Sequence, residues 1–232
     1  MSEPKSIREI NQELRIACKD GNYEIVESLI SKGANIHSTN KHGDTPIINA
    51  SWKGHYEIIE LLLLNGANVH DKDDYGESPI ISASRHGNNI RVVELLILNG
   101  ANIYDENEYG HNPINCASMS GHNDIIEVLM YYGANVNDKD REENSPIFFA
   151  SIDGKIDTVK FLISKGSNIH DKDIDGDSAI SIASRVGHID IVEVLQKWPS
   201  TMFIIVLQEL FLYNFIDLGL LIDFNEYFGE IL

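Results

Sequence analysis

A tripeptide recurs along this chain at nearly constant intervals, and this repeat constrains the fold more than any other feature. Gly-Ala-Asn, varied once to Gly-Ser-Asn, returns with spacings of 33, 34, 33 and 33 residues. Its copies begin at Gly33, Gly66, Gly100, Gly133 and Gly166. A period of about 20–50 residues is typical of repeat architectures, in which each unit buries its apolar face against its neighbours. We therefore expect a stack of similar units, none of which would fold alone.

A second series keeps the same register and marks a helix start in each copy. Its members favour helix N-termini, and the proline that follows four of them suits the first helical position. They are Thr45, Ser78, Asn112, Ser145 and Ser178. This first helix ends at a glycine such as Gly54, and an apolar second helix such as YEIIELLLLNG follows. The additional residue of the 34-residue interval falls just after Gly87, in the loop between two helices.

These markers resemble the ankyrin repeat. Residues 43–55, GDTPIINASWKGH, match the family pattern G-x-T-P-L-H-x-A-A-x-x-G-H, and the resemblance covers roughly residues 8–198. It implies an all-α ankyrin-repeat solenoid of about six helix-turn-helix repeats joined by short β-hairpin-like fingers. We expect an N-terminal capping repeat at 1–36, ankyrin repeats over 37–198 (about 41–70, 74–104, 108–137, 141–170 and 174–198), and a hydrophobic C-terminal tail at 199–232 that forms a degenerate cap.

The chain departs from the family pattern at two kinds of position. The histidine of T-P-L-H is replaced in every copy, so the side-chain hydrogen bonding expected there is missing or altered. The replacements are Ile48, Ile81, Asn115, Phe148 and Ser181. Glu143 stands where the other fingers have glycine. The fourth finger therefore either tolerates a strained turn or takes another shape.

One finger looks like the start of a calcium loop. Residues 171–177 read DKDIDGD, which places Asp171, Asp173 and Asp175 at the first three ligand positions of an EF-hand. The bidentate glutamate required at position 12 is replaced by Ile182, inside a predicted helix. Since the segment also aligns with the other fingers, we interpret its Asp and Gly residues as turn formers.

Composition excludes several classes of function. The formal charge is −18 and the pI about 4.7, so most of the surface would repel a phosphate backbone and nucleic acid is not an expected partner. The two cysteines, Cys18 and Cys116, lie in predicted buried helices, and the N-terminus lacks a secretory signal, which indicates a reduced, intracellular protein, cytoplasmic or nuclear. No spacing of histidines with cysteines or carboxylates suggests zinc, and neither a phosphate loop nor a nucleophile elbow is present. We expect no enzyme activity, no metal and no cofactor.

The candidate binding residues are those that vary between copies at equivalent positions. In the ankyrin family such positions form the protein-binding face, and the resemblance implies the same here. The candidates, two residues after the buried alanine of each first helix or at the finger tips, are Trp52, Tyr75, Arg85, Tyr109, Met119, Arg141, Ile152 and Arg185. Tryptophan, tyrosine and arginine are also the residues that most often anchor interfaces. The sequence therefore predicts a monomeric scaffold that binds another protein, with Trp52 exposed on its concave face.

The tail breaks the repeat register from Trp198 onward, and several interpretations stay open. A degenerate cap would place Phe203, Leu207 and nearby apolar residues on the last repeat. A membrane anchor is disfavoured because Glu209 and Asp217 would each cost roughly 2.5–3.5 kcal/mol near a bilayer centre. WPSTMFIIVLQEL faintly resembles an F-box, which would make the protein a substrate adaptor of a ubiquitin ligase, and a frameshifted repeat would look similar. The Ile- and Asn-rich composition of the repeats resembles the arrays of large DNA viruses, in which case the protein would act in the host cell.

Overall fold

Paired helices follow one another along the chain in a computed structural model, which describes residues 6–198. Within this range two kinds of helix alternate. The first helices of the pairs are α1 (Ile7–Asp20), α3 (Pro46–Lys53), α5 (Pro79–His86), α7 (Pro113–Ser120), α9 (Pro146–Ile152) and α11 (Ala179–Val186). The second helices are α2 (Tyr23–Ser31), α4 (Tyr56–Leu64), α6 (Ile90–Leu98), α8 (Asn123–Tyr131), α10 (Ile156–Ser164) and α12 (189–198). One isolated antiparallel bridge, Lys172 to Ser178, is the whole β-structure of the described residues.

The start of each first helix follows the predicted local chemistry only in part. The five capping residues from Thr45 to Ser178 all occupy the N-cap position with extended backbone. Only Asn112 and Ser178 accept a hydrogen bond from the backbone of the first turn. The hydroxyl groups of Thr45 and Ser78 are buried without a partner. At these positions the extended backbone and the following proline define the helix start, and the side-chain cap is absent.

Two helical layers form the stack. Each first helix from α1 to α9 packs against the next first helix, and each second helix from α2 to α6 packs against the next second helix. Helices also pack within each of the five pairs from α1–α2 to α9–α10, which encloses apolar side chains between the layers. Ile59, Leu62 and Leu96 are fully buried there, and so is Ala50 of the close first-helix contacts. Because neighbouring units supply the cover for each apolar face, stability comes from the interfaces between repeats.

The connections within and beyond the stack match the repeat register. The additional residue near Gly87 lies between α5 and α6, where Asn89 caps the second helix.

Residues up to Ile191 form one compact unit, and residues 192–198 belong to a second unit. Among residues 6–198, no helix combines the length and the apolarity needed to cross a membrane. The cap, anchor and adaptor hypotheses concern residues 199–232, which lie outside the described residues.

Five fingers connect the repeats, and all use the same turn. In each, an Asn or Asp side chain accepts hydrogen bonds from the amides two and four residues later, at 2.7–3.0 Å. These residues are Asn40, Asp73, Asn107, Asp140 and Asp173. Asp173 Oδ1 therefore serves the backbone of its own finger, as predicted for a turn residue. In the described part of the chain, no three His, Cys, Asp or Glu residues are grouped as metal ligands.

Glu143 resolves the alternatives left open for the fourth finger. Its φ is 64°, so it adopts the left-handed conformation that Gly43, Gly76 and Gly110 adopt in other fingers. It is the one non-glycine residue with positive φ in the described range. The finger thus keeps its shape and tolerates strain, which costs about 1–2 kcal/mol for a residue with a side chain.

Relief of this strain is testable. We expect Glu143→Gly to stabilise the protein by about 1 kcal/mol, because glycine adopts this conformation without a steric penalty. The lost ion pair between Glu143 and Lys139, 3.3 Å apart, is exposed and offsets less than about 1 kcal/mol. Urea unfolding followed by circular dichroism measures the difference. Glu142→Gly is the matched control, and it should destabilise slightly; an equal response of both variants would contradict the strain.

Candidate protein-binding groove

A groove of about 640 Å³ runs between the first helices α3 and α5 and the first three fingers. Four of the eight candidate binding residues line it: Trp52, Tyr75, Arg85 and Tyr109. The tyrosines at the finger tips, Tyr75 and Tyr109, are 48% and 61% exposed. The structure thus brings half of the sequence-derived candidates into one concave surface, which we call the finger groove.

Trp52 is half-buried, not exposed as predicted. The ammonium of Lys19, from α1, lies 4.4 Å from its ring centroid, and that of Lys53 lies 4.7 Å away. The ring of His86 lies 5.3 Å away, tilted against the indole. Because Lys19 belongs to the preceding pair of helices, the alignment of equivalent positions gave no sign of this cover. Trp52 therefore has a packing role as well as a place in the finger groove.

The other four candidates lie outside the finger groove. Arg141 forms an ion pair with Glu106 at 2.9 Å, and its aliphatic part lies against Gly110. Arg185 forms an ion pair with Asp177 at 2.5 Å. Met119 and Ile152 are half-buried on α7 and α9. These residues keep the predicted register along the stack, but the structure does not bring them together with Trp52.

Carboxylates in the finger groove were not among the sequence-derived candidates. Asp44, Asp73 and Glu77 all line it. Glu77 Oε1 accepts hydrogen bonds from Arg85 at 2.7 Å and from Asn107 at 2.9 Å. Burial raises the pKa of Asp73, and so do the negative charges of Asp44 and Glu77, whereas the bonds from its finger amides oppose the shift. The groove therefore combines aromatic rings with carboxylates that repel one another.

Sequence comparison agrees with this architecture. A family model described as ankyrin repeats (3 copies) matches residues 54–140, and one described as ankyrin repeats (many copies) matches residues 14–63 and 147–196. The chain belongs to the ankyrin-repeat family. No curated protein sequence matches it. The ankyrin assignment confirms the all-α repeat solenoid predicted from the tripeptide register.

The altered T-P-L-H position differs between the ankyrin repeats. Ile48, Ile81 and Phe148 are buried and apolar there, so packing replaces the expected hydrogen bond. Asn115 is fully buried, and neither its amide oxygen nor its amide nitrogen has a partner. Ser181 accepts a hydrogen bond from the Ser178 amide at 2.7 Å and so helps to cap α11. As predicted, the side-chain hydrogen bonding is missing or altered in all five copies: it is missing in four and altered at Ser181.

Two cysteines lie in the first helices of the ankyrin stack. Cys18 and Cys116 are both buried and free. Burial raises the pKa of each thiol to about 12. Both therefore remain protonated at neutral pH, and a protonated thiol is a poor nucleophile.

Two histidines of the finger groove favour the neutral form. Burial lowers the pKa of His86 and of His111 below the ordinary value of 6.5, and the charge of Arg85 lowers both further. Asp140, 4.0 Å from His111, opposes the shift. The folded protein then binds fewer protons than the unfolded chain once the pH falls below about 6.5, so these groups reduce stability as the medium is acidified.

We expect NMR titration of His86 and His111 to give midpoints below 6.5, because burial and the positive charge of Arg85 both lower the pKa of each ring. The contribution of both residues to the free energy of unfolding should fall from pH 7 towards pH 5. His86→Gln with His111→Gln should flatten that part of the stability profile. Midpoints at or above 6.5 would show that the rings are more solvated than the structure indicates.

Proposed function

We propose that this ankyrin protein is a non-enzymatic scaffold that binds a partner protein through the finger groove. One observation carries the proposal: Tyr75 and Tyr109 are exposed at the rim of a concave surface that also contains Trp52 and Arg85. Exposed aromatic side chains around a concavity are typical of interface anchors. Ankyrin repeats are in general protein-interaction modules, which supports the same conclusion.

The proposal includes a monomer that acts inside the cell. The free, buried state of Cys18 and Cys116 accords with a reducing compartment, in which disulfides are rare. The negative charge of −18 disfavours nucleic acid as the partner. The adaptor and anchor alternatives depend on the tail.

Comparison of the full chain with a chain ending at Lys197 separates these alternatives. Affinity capture with both proteins should return the same partner, and both should remain in the soluble fraction. Loss of ubiquitin-ligase subunits from the shorter chain would favour the adaptor. A shift from the membrane pellet to the soluble fraction on truncation would favour the anchor.

Aromatic truncation tests the groove itself. We expect Trp52→Ala with Tyr75→Ala to weaken binding of the captured partner by about 2 kcal/mol or more, as removal of interface anchors does. Because Trp52 also packs against Lys19, Lys53 and His86, the free energy of unfolding should fall by about 0.5–3 kcal/mol, so circular dichroism has to show that the variant is folded at the temperature of the binding measurement. Calorimetry with the purified partner measures the affinity.

The control is Tyr131→Ala, which removes an aromatic side chain that is 83% exposed on the second-helix layer. It should leave the affinity unchanged. Unaltered binding by the double variant, or equal weakening by the control, would contradict docking in the finger groove.

A further inference from the structure

We propose that the finger groove binds an arginine side chain of the partner protein through Asp44 and Asp73. The inference rests on the proposed function and specifies the chemistry of the partner. Three observations support it. One ion pair that recurs in other ankyrin repeats is missing in the first finger, several oxygen atoms of the groove residues have no donor, and the groove carries an excess of carboxylates.

The recurring ion pair joins the residue before the helix cap to the residue eight positions later. Arg85 binds Glu77 at 2.7 Å in this way, and Arg185 binds Asp177 at 2.5 Å. In the first finger the equivalent carboxylate is Asp44, but the position eight residues later is Trp52. The chain thus supplies an arginine to this acidic position in two repeats and leaves Asp44 without one.

The carboxylates of the first two fingers have free acceptor capacity. Asp44 Oδ2 accepts a hydrogen bond from Asn40 at 2.7 Å, and Asp73 Oδ1 accepts the two finger amides. Within the described residues, Asp44 Oδ1 and Asp73 Oδ2 have no hydrogen-bond or ion-pair partner. Two residues that line the same groove from different fingers therefore each keep one carboxylate oxygen without a donor among the described residues.

Two buried polar side chains of the groove also have an oxygen atom that could accept a hydrogen bond from a ligand. Asn49 and Ser82 line the groove and are only 5% and 6% exposed. The amide nitrogen of Asn49 donates to the Thr45 carbonyl at 3.2 Å, and its Oδ1 has no partner in the described part of the chain. The hydroxyl of Ser82 also has no hydrogen-bond partner among the described residues. Neither oxygen is fully shielded from solvent.

The charge of the groove favours a cation. The residues that line the groove include three carboxylates and the single guanidinium of Arg85, and the ammonium groups of Lys19 and Lys53 lie against the Trp52 ring rather than among the lining residues. Asp44 and Glu77 already raise the pKa of Asp73 by repulsion, after the larger effect of burial. A bound cation would relieve this repulsion, so occupancy stabilises the charged form of Asp73.

Guanidinium fits this arrangement better than ammonium does. The unpartnered oxygens belong to different lining residues, among them Asp44, Asp73 and Asn49, and arginine offers five donors in one plane. The exposed rings of Tyr75 and Tyr109 supply flat surfaces on which the same plane can stack. Lysine offers a compact charge that satisfies fewer of these acceptors at once.

The test uses the full chain and three capped synthetic peptides with the same Gly and Ser residues around a central arginine, lysine or citrulline. Citrulline keeps the shape of arginine and removes its charge. The protein has two tryptophans, so the indole N–H resonance of Trp52 can be assigned with Trp52→Phe and followed by NMR. We expect saturable shifts with the arginine peptide, and binding weaker by about tenfold or more with the citrulline peptide.

Neutralising variants test the carboxylates without disrupting the fold. Asp44→Asn and Asp73→Asn place at each position a residue that an equivalent finger already has, since Asn144 matches Asp44 and Asn107 matches Asp73. Each should weaken the arginine peptide by about tenfold. Asp74→Asn removes the same charge from an exposed neighbour that does not line the groove, and it should have little effect.

Equal binding of the arginine and citrulline peptides would overturn the inference, and so would equal binding of the lysine peptide. Insensitivity to both groove substitutions would overturn it as well. These results differ from failure of the proposed function. If the Trp52 and Tyr75 double variant loses its partner while no peptide binds, the groove is an interface but the arginine assignment is wrong.

Discussion

Leu96→Ala is expected to destabilise the protein by about 2–5 kcal/mol, which is the usual cost of removing a buried leucine side chain. Leu96 is fully buried in α6, which packs against both α4 and α8. The lost side chain therefore leaves a cavity at an interface between repeats. Since these interfaces hold the stack together, the effect should appear in the unfolding of the whole array.

Leu98→Ala in the same helix is the matched control. Leu98 is 73% exposed, so the same chemical change should alter the free energy of unfolding by about 0.5 kcal/mol or less. Urea titration followed by circular dichroism at 222 nm, a standard helix wavelength, compares the two. Similar losses from both substitutions would mean that α6 does not present Leu96 to the core.

Gly43→Ala should be the most damaging change in the fingers. With φ of 81°, any side chain costs about 1–2 kcal/mol there. An added Cβ would also lie 2.6 Å from the backbone nitrogen of Asp74 and 2.7 Å from its Oδ1. That nitrogen donates to the His42 carbonyl at 3.0 Å, which links the first two fingers. We expect a further loss of about 1–3 kcal/mol from this steric conflict.

Gly176→Ala isolates the conformational part of that loss. Gly176 has nearly the same φ, 85°, but a Cβ there would have no atom within 4 Å. It should cost about 1–2 kcal/mol, clearly less than Gly43→Ala. Thermal unfolding of both variants provides the comparison. Equal losses would show that the first two fingers separate without penalty.

Most first helices could be predicted because their ends have local causes. Proline at the start of α3, α5, α7 and α9 and a glycine with positive φ at or just after their C-terminal ends depend on neighbouring residues alone, so the repeat register was enough to indicate where these helices lie. Thr45 and Ser78 occupy the predicted N-cap positions, but their side chains do not form the capping hydrogen bond. The hydrogen bond of a capping side chain depends on its rotamer, which the sequence does not determine.

The finger groove was harder to predict because it depends on contacts between repeats. Aligning equivalent positions found Trp52, Tyr75, Arg85 and Tyr109 but gave no sign that Lys19 covers Trp52. Asp73 is the equivalent of Asp173, which was interpreted as a turn former, and both have that role. A carboxylate has two oxygens, however, and only the folded finger shows that Asp73 lines the groove, that its Oδ1 is used by the backbone and that its Oδ2 has no partner among the described residues.

The most direct test of docking in the finger groove is site-specific photo-crosslinking. A benzophenone amino acid would replace Tyr109 in one protein and Tyr131 in another, and both would be irradiated in cells that express them. Tyr109 lies at the groove, whereas Tyr131 is highly exposed on the second-helix layer. We predict one dominant protein adduct from position 109 and none of the same mass from position 131. An adduct from position 131 alone, or equal adducts from both, would contradict the account.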